Sequence, residues 1–342
     1  MKKAYIPGIA ILLVMSLLMW AVGPVMAQDE EFQRIDKPLS PVGGDDVYSI
    51  PPGSTIHHLD NGITKVYGPD GRHVLTTRDT LESLIPVPMG GLVGASHVHS
   101  VPSGSKISRV ENGIKVYHDG ACILSVVNEG DNAETPPPSS SGWIEYSRDS
   151  DVDDLRYFRA SWSVTAEPPD HDYWTTDYIF NAIVSPDGTD ILQPVLEWNV
   201  VRGTYEWTCA AWYGIDDEYF HGARIDASVD DDLYGYMRKY DTEWKTKIRN
   251  LDTGESSILW TDPNEFHTGD NLKIFCALEG WYVDDDDDVP GDTLFHDMIF
   301  TDDEGDPINI TWYGYTPGTA WGLTDLKVVR YSDEEVELQT AN

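Results

Sequence analysis

Residues 191–198 read Ile-Leu-Gln-Pro-Val-Leu-Glu-Trp. Their alternation has the period of a β-strand and puts Gln193, Val195 and Glu197 on one face. Two polar groups on a single strand face mark either a solvated outer face or a functional concave one. Four residues of strand hold Gln193 and Glu197 about 13 Å apart, which argues against direct partnership. Pro194 has no N–H for a ladder and points to a bulge or an edge.

Similar runs recur on both sides of this stretch. They are Tyr157–Val164, Tyr178–Val184, Glu206–Tyr213, Asp232–Tyr240, Trp244–Asn250, Ser257–Trp260, Lys273–Val283, Thr293–Phe300 and Leu326–Tyr331. Turn chemistry separates them at Pro186-Asp187-Gly188, Asp252-Thr253-Gly254 and Pro290-Gly291-Asp292. Long amphipathic helix patterns are absent. Many short strands with turns between them read as a sandwich or barrel. The expectation is an all-β chain with a sandwich domain over 143–333 and an acidic tail over 334–342.

A repeat precedes this domain. Residues 47–79 read VYSIPPGSTIHHLDNGITKVYGPDGRHVLTTRD, and residues 98–130 read VHSVPSGSKISRVENGIKVYHDGACILSVVNEG. In the first copy Thr55–Leu59, Ile63–Tyr67 and His73–Thr77 are strand-like, joined by Asn61-Gly62 and Asp70-Gly71, which favour tight hairpins. Each copy is a small β-meander, too short to bury a core alone. The copies must pack together or stack on a partner. Residues 131–142, DNAETPPPSSSG, form a stiff, solvated linker. Residues 28–46 read as a disordered lead-in.

The N-terminus carries the marks of an export signal. Lys2 and Lys3 are followed by the apolar run Ile9–Val22, broken only by Ser16, and Val25-Met26-Ala27 gives a small-x-small cleavage site. Residues 1–27 are therefore expected to be a signal peptide, with an uncleaved anchor as the alternative. This implies an extracellular or cell-surface protein with no membrane segment after cleavage. The formal net charge of −36 over 342 residues opposes binding to nucleic acid or to anionic membranes.

Two of the three cysteines, Cys209 and Cys276, fall in the sandwich domain and leave Cys122 odd. In an exported chain they form either a disulfide or two buried free thiols. The run Asp284–Asp288 is read as a solvated acidic loop, since it lacks the alternating spacing of a defined calcium loop. His57, His58, His97 and His99 are read as surface residues. No metal or other cofactor is expected. A Gly-rich phosphate loop, a Gly-x-Ser-x-Gly elbow and a His-Glu-x-x-His motif are all missing.

Several blocks over most of 143–300 occur in the order found in the glutamic peptidases, the eqolisins. Asp190-Ile191-Leu192-Gln193-Pro194-Val195-Leu196-Glu197-Trp198 resembles that family's A-I-L-Q-x-G-x-D-W strand. Gly203-Thr204-Tyr205 leading to Ala211-Trp212-Tyr213 resembles its G-T-Y-x-A-W-Y segment. Ile248–Gly254 resembles its L-E-N-L-T-T-G, and Trp143-Ile144 followed by Tyr157–Thr165 resembles its first two strands. Ala277-Leu278-Glu279-Gly280-Trp281 resembles the A-E-[WF]-I-[VI]-E stretch that holds the catalytic glutamate, with Leu278 inserted and Gly280 in an aromatic's place. Phe180-Asn181-Ala182-Ile183 stands where the family has W-V-G-I-D, and Trp212-Tyr213-Gly214-Ile215 where it has W-Y-E-W.

The resemblance implies a concanavalin A-like sandwich of two antiparallel sheets. It implies Glu279 as the general base that activates water and Gln193 as the amide donor to the oxyanion. The substrate would be a peptide or protein. By residue type alone, Trp198, Trp212 and Tyr213, with Glu197, are the candidates to hold it. A second reading is a non-catalytic module that binds extracellular polysaccharide or protein through an aromatic groove.

Overall fold

A computed structural model describes residues 48–59, 62–79, 84–89, 91–128, 142–241, 243–262 and 271–342. The expected signal, lead-in and most of the linker lie outside them. The first meander holds β1 (Ser54–Leu59), β2 (Ile63–Tyr67) and β3 (His73–Arg78). A hairpin of β4 (Leu84–Val87) and β5 (Gly91–Gly94) follows, then β6 (Val98–Ser100). The second meander is β7 (Ser105–Val110), β8 (Gly113–His118) and β9 (Ala121–Asn128).

The larger domain begins with β10 (Trp143–Val152), β11 (Tyr157–Ser163), β12 (Thr176–Val184), β13 (Ile191–Trp198) and β14 (Trp207–Ile215). It continues through β15 (Glu218–His221), β16 (Ile225–Ala227), β17 (Asp232–Tyr240), β18 (Glu243–Asn250), β19 (Ser256–Thr261) and β20 (Leu272–Trp281). It ends with β21 (Thr293–Thr301), β22 (Tyr313–Tyr315), β23 (Lys327–Ser332) and β24 (Glu335–Gln339). The last of these corrects the expected tail: Glu335–Gln339 is a strand paired with both β21 and β23, and Val336 and Leu338 are buried. Its charges alternate with apolar residues, so one face can enter the core.

Two large sheets pack face to face, as expected of an all-β sandwich. One runs β23-β24-β21-β11-β17-β18-β19-β7-β8-β9-β1-β2-β3, and the other β22-β10-β20-β12-β13-β14-β15-β6 with β16 beside β14. The alternation of each strand decides which side chains meet between them. From the second sheet come Ile179, Ile183, Leu192, Leu196, Trp198, Tyr213, Ile274 and Leu278. From the first come Phe158, Trp162, Leu233, Met237, Trp244 and Ile248.

The meanders extend this core instead of standing apart. β7 pairs in parallel with β19, and β9 pairs in parallel with β1. Six short strands that cannot bury a core alone thus borrow the sandwich's edge.

Pro194 lies in a central strand and not at an edge. The β12–β13 ladder accommodates it by an interruption between the Phe180–Val195 and Ile183–Leu192 pairs. Cys209 and Cys276 are free and buried, so no bridge joins them. They lie on β14 and β20, three ladder steps apart. That separation is about 14 Å, against the roughly 6 Å between Cα atoms that a disulfide spans.

Candidate active site under a hairpin

The site lies on the face of the second sheet that turns away from the first. On β13 the residues opposite to Leu192 and Leu196 are Gln193, Val195 and Glu197. Tyr178, Phe180 and Ala182 on β12, Ala210 and Trp212 on β14, and Phe275, Ala277, Glu279 and Trp281 on β20 join them by the same alternation. A sheet buried on one side and open on the other exposes such a set to water. Here it is buried. Gln193 and Glu279 are each 1% exposed and Glu197 is fully enclosed.

The cover is the β4–β5 hairpin. Val87 and Val93 are buried against this face, with Ile85, Met89 and Leu92 packed beside them. Three polar contacts fix the hairpin. The Tyr178 hydroxyl donates to the Pro86 carbonyl at 2.9 Å. The Gln193 amide Nε2 donates to the Pro88 carbonyl at 2.9 Å. The Met89 backbone N–H donates to Glu279 Oε2 at 2.7 Å. The last two contacts fall on the oxygen and the nitrogen of one peptide unit.

Those atoms lie about 2.3 Å apart in a trans peptide, so the Gln193 amide and the Glu279 carboxyl are at most about 8 Å from each other. They share a face, and a single peptide group bridges them. Met89 adopts φ 57°. That left-handed conformation costs a non-glycine residue roughly 1–2 kcal/mol, which the surrounding contacts must supply.

Burial raises the Glu279 carboxyl to about 8, and the Met89 N–H opposes the shift. Burial and then the charge of Glu197 push the Tyr178 hydroxyl well above its ordinary value, so it remains a donor. Glu197 is held by Trp212 Nε1 at 2.8 Å, Thr208 Oγ1 at 3.1 Å and Arg224 Nε at 2.8 Å. It lies in one cross-strand row with Tyr178 and Glu279. Gly280 has a packing reason. A Cβ there would meet Ile144 Cδ1 and Val283 Cγ2 at 2.6 Å, so a larger residue would have to push these side chains aside.

The expected substrate-binding set divides. Trp212 and Glu197 belong to this face, but both are buried and bonded to each other. Trp198 and Tyr213 instead point into the core between the sheets, because alternation sends them to the opposite face. Exposed aromatic surface lies elsewhere, at Tyr173, Trp174 and Tyr282. The Arg202 guanidinium sits 4.3 Å from the centroid of the Trp174 ring.

The expected surface histidines also need correction. His58 and His99 are buried, and with His97 they converge on Glu218. The acidic run forms a short turn over 286–288 in which Asp285 caps the start, while Asp288 is buried and accepts from the Asp284 N–H.

Sequence reasoning missed Tyr178, Glu218 and the covering hairpin. The last had a readable signal. Residues 84–94 read Leu-Ile-Pro-Val-Pro-Met-Gly-Gly-Leu-Val-Gly, two apolar runs around a Gly-Gly turn.

The fold and its covered acid–amide pair define the class first: an all-β sandwich with a shielded polar face. Among solved structures, two distant likenesses of fold bear the same class of name. Scytalido-glutamic peptidase with a transition state analog inhibitor matches with TM-score 0.41 and 16% identity over 59% of this chain and 99% of that one. SCP-B, of the eqolisin family, in a complex with the tripeptide Ala-Ile-His, matches with TM-score 0.41, 16% identity and the same coverage. SCLam, a non-specific endo-β-1,3(4)-glucanase, matches with TM-score 0.27 and 7% identity over 38% of this chain and 49% of that one. No family model and no curated protein matches the sequence.

Proposed function

We propose that this chain is an exported peptide-bond hydrolase that acts through Gln193 and Glu279, in a form whose site is filled by its own hairpin. The observation that carries this reading is the seating of the Pro88–Met89 peptide unit. Its carbonyl oxygen takes the Gln193 amide, and its N–H meets Glu279. A substrate peptide bond needs the same two partners at the same two atoms.

In the reaction, ionised Glu279 accepts a proton from water as the water oxygen bonds to the scissile carbonyl carbon. The carbonyl oxygen becomes an oxyanion and is held by the Gln193 N–H. Protonated Glu279 then gives its proton to the departing nitrogen, and the C–N bond breaks to leave an acid and an amine. In the covered state Glu279 engages the N–H itself, where the attacking water would stand. Burial also keeps it protonated below about pH 8, which is the wrong form for a base. The hairpin thus blocks both the access of substrate and the ionisation of Glu279.

The test is incubation of purified Val87→Asp protein, in which a charge at a fully buried hairpin position releases the cover, with an unfolded protein substrate over acidic to neutral pH, followed by mass spectrometry of fragments. Cleavage that disappears in both Gln193→Ala and Glu279→Gln supports the reading. Cleavage that survives either change removes it. The binding-module reading keeps one observation of its own, the exposed Tyr173, Trp174 and Tyr282. Polysaccharide binding that Trp174→Ala abolishes would favour it.

A further inference from the structure

A second polar cluster lies where three parts of the chain meet. His58 comes from β1 in the first meander, His97 from the short turn before β6, and Glu218 from the start of β15 in the sandwich. Glu218 Oε1 lies 2.8 Å from His97 Nδ1 and 3.2 Å from His58 Nε2. Its other oxygen, Oε2, accepts from His99 Nε2 at 2.7 Å. Glu218 is fully buried and His58 is 8% exposed.

The protons around His58 can be assigned by following the donors. The Asp79 carboxylate accepts from the Ser96 hydroxyl at 2.5 Å. Ser96 has then spent its one proton, so the 2.9 Å contact with Thr64 is Thr64 donating to Ser96. Thr64 has spent its own proton as well, so the 2.9 Å contact with His58 Nδ1 is His58 donating. Neutral His58 therefore carries its hydrogen on Nδ1 and turns a bare lone pair on Nε2 toward a carboxylate oxygen. Nε2 makes no hydrogen bond. A lone pair on Nε2 facing a carboxylate oxygen at 3.2 Å is favourable when the two share a positive charge, either a second proton on the ring or a metal ion.

We propose that His58 Nε2, His97 Nδ1 and Glu218 Oε1 bind a divalent transition-metal ion of the zinc type. Two imidazole nitrogens and one carboxylate oxygen suit such an ion better than a hard cation. All three ligand atoms lie within 4.8 Å of one another. A tetrahedral ion with bonds of about 2.0 Å keeps neighbouring ligands about 3.3 Å apart; the His58–Glu218 pair stands at 3.2 Å, and the His97–Glu218 pair, hydrogen-bonded at 2.8 Å, would open by about 0.5 Å and give up its proton to admit the ion. The outer contacts fit as well. Thr64 fixes the His58 ring from its far nitrogen, and His99 is a positioning residue that orients Glu218. The ion would clasp the first meander and the segment after the hairpin to the sandwich.

The test uses the full chain, stripped with a chelator and titrated with Co²⁺ and then Zn²⁺ in excess Mg²⁺, so that surface carboxylates do not compete. The expected result is one equivalent of Co²⁺ with visible absorption bands, displaced by Zn²⁺, and a higher melting temperature with metal. His97→Ala and Glu218→Gln should each weaken binding by about 100-fold or more, and His99→Gln by about tenfold with the Co²⁺ spectrum kept. Asp288→Asn, in the separate acidic turn, should change nothing. Because a variant may misfold, the wild-type titration decides by itself. Absence of a stoichiometric, Mg²⁺-resistant site overturns the proposal, as does unchanged affinity in folded His97→Ala.

Discussion

The side-chain amide of Gln193 donates to the backbone carbonyl of Pro88, 105 residues away in sequence, at 2.9 Å. The next backbone group, the Met89 N–H, is taken by Glu279. The hairpin therefore presents a peptide unit to the two side chains that the resemblance in sequence singles out.

The first prediction concerns pH and stability. Glu279 has its carboxyl raised by burial to about 8, from an ordinary 4.5. The folded state binds a proton there more tightly than the unfolded chain does. The stabilisation is therefore complete below about pH 4.5 and is lost as pH rises toward 8. The full effect is on the order of 5 kcal/mol. Glu279→Gln is neutral at every pH, so it should remove this slope from the wild-type stability curve. Buried His99 and His221, whose protonation is disfavoured by desolvation, act in the opposite direction below pH 6.5. They are common to both proteins and cancel in the difference. Denaturant titrations across this window make the comparison.

The second concerns the buried ion pair behind the site. Arg224 donates to Glu197, whose carboxylate has no exposure to water. Arg224→Ala leaves that carboxylate without its positive partner and should cost about 3–5 kcal/mol. Arg224→Ala combined with Glu197→Gln should recover part of the loss, and a double-mutant cycle by chemical denaturation measures the coupling.

The third concerns the cysteines. With Cys209 and Cys276 on strands three steps apart, all three thiols should titrate in denaturant without reductant. In the native state exposed Cys122 should react first, and the two buried thiols should stay protected. One titratable thiol in denaturant would mean that a bridge exists.

Much of the sandwich was legible because its strands alternate. The expected Ile191–Trp198 and Asp232–Tyr240 match the observed strands end for end, and others such as Tyr178–Val184 differ by a residue or two. The same rule placed Gln193, Val195 and Glu197 on one face. It could not say what lies over that face, because the partner is a hairpin about a hundred residues earlier. Trp198 and Tyr213 were assigned to a groove from residue type alone, whereas strand parity sends them inward.

A histidine carries no mark of burial in sequence, so the surface reading of His58 and His99 is corrected only by the structure. Their burial depends on Glu218, which meets them only after β6 pairs with β15. For Cys209 and Cys276 the sequence leaves a bridge and two buried free thiols open, and the structure has the second. Sharing a domain does not give a distance, and strand order does.

The fourth prediction concerns the hairpin's grip. Val87 is fully buried against the site face, and an aspartate there would be an unpaired buried charge. Val87→Asp should displace the hairpin while the two large sheets persist, since their core lies on the other side. Hydrogen exchange should show lost protection confined to 84–94 and to the facing strands. Water then reaches Glu279, and its titration should fall from about 8 toward the ordinary carboxylate range.

The same full-length Val87→Asp protein shows whether the hairpin covers a working Gln193–Glu279 peptidase. Its rate of peptide hydrolysis should be compared with that of wild type and of Val87→Asp/Glu279→Gln under identical acidic conditions. The expected result is cleavage by the single variant at a rate well above wild type, and none by the double variant. Equal cleavage by both variants, or no cleavage by a folded single variant with its hairpin released, would contradict it.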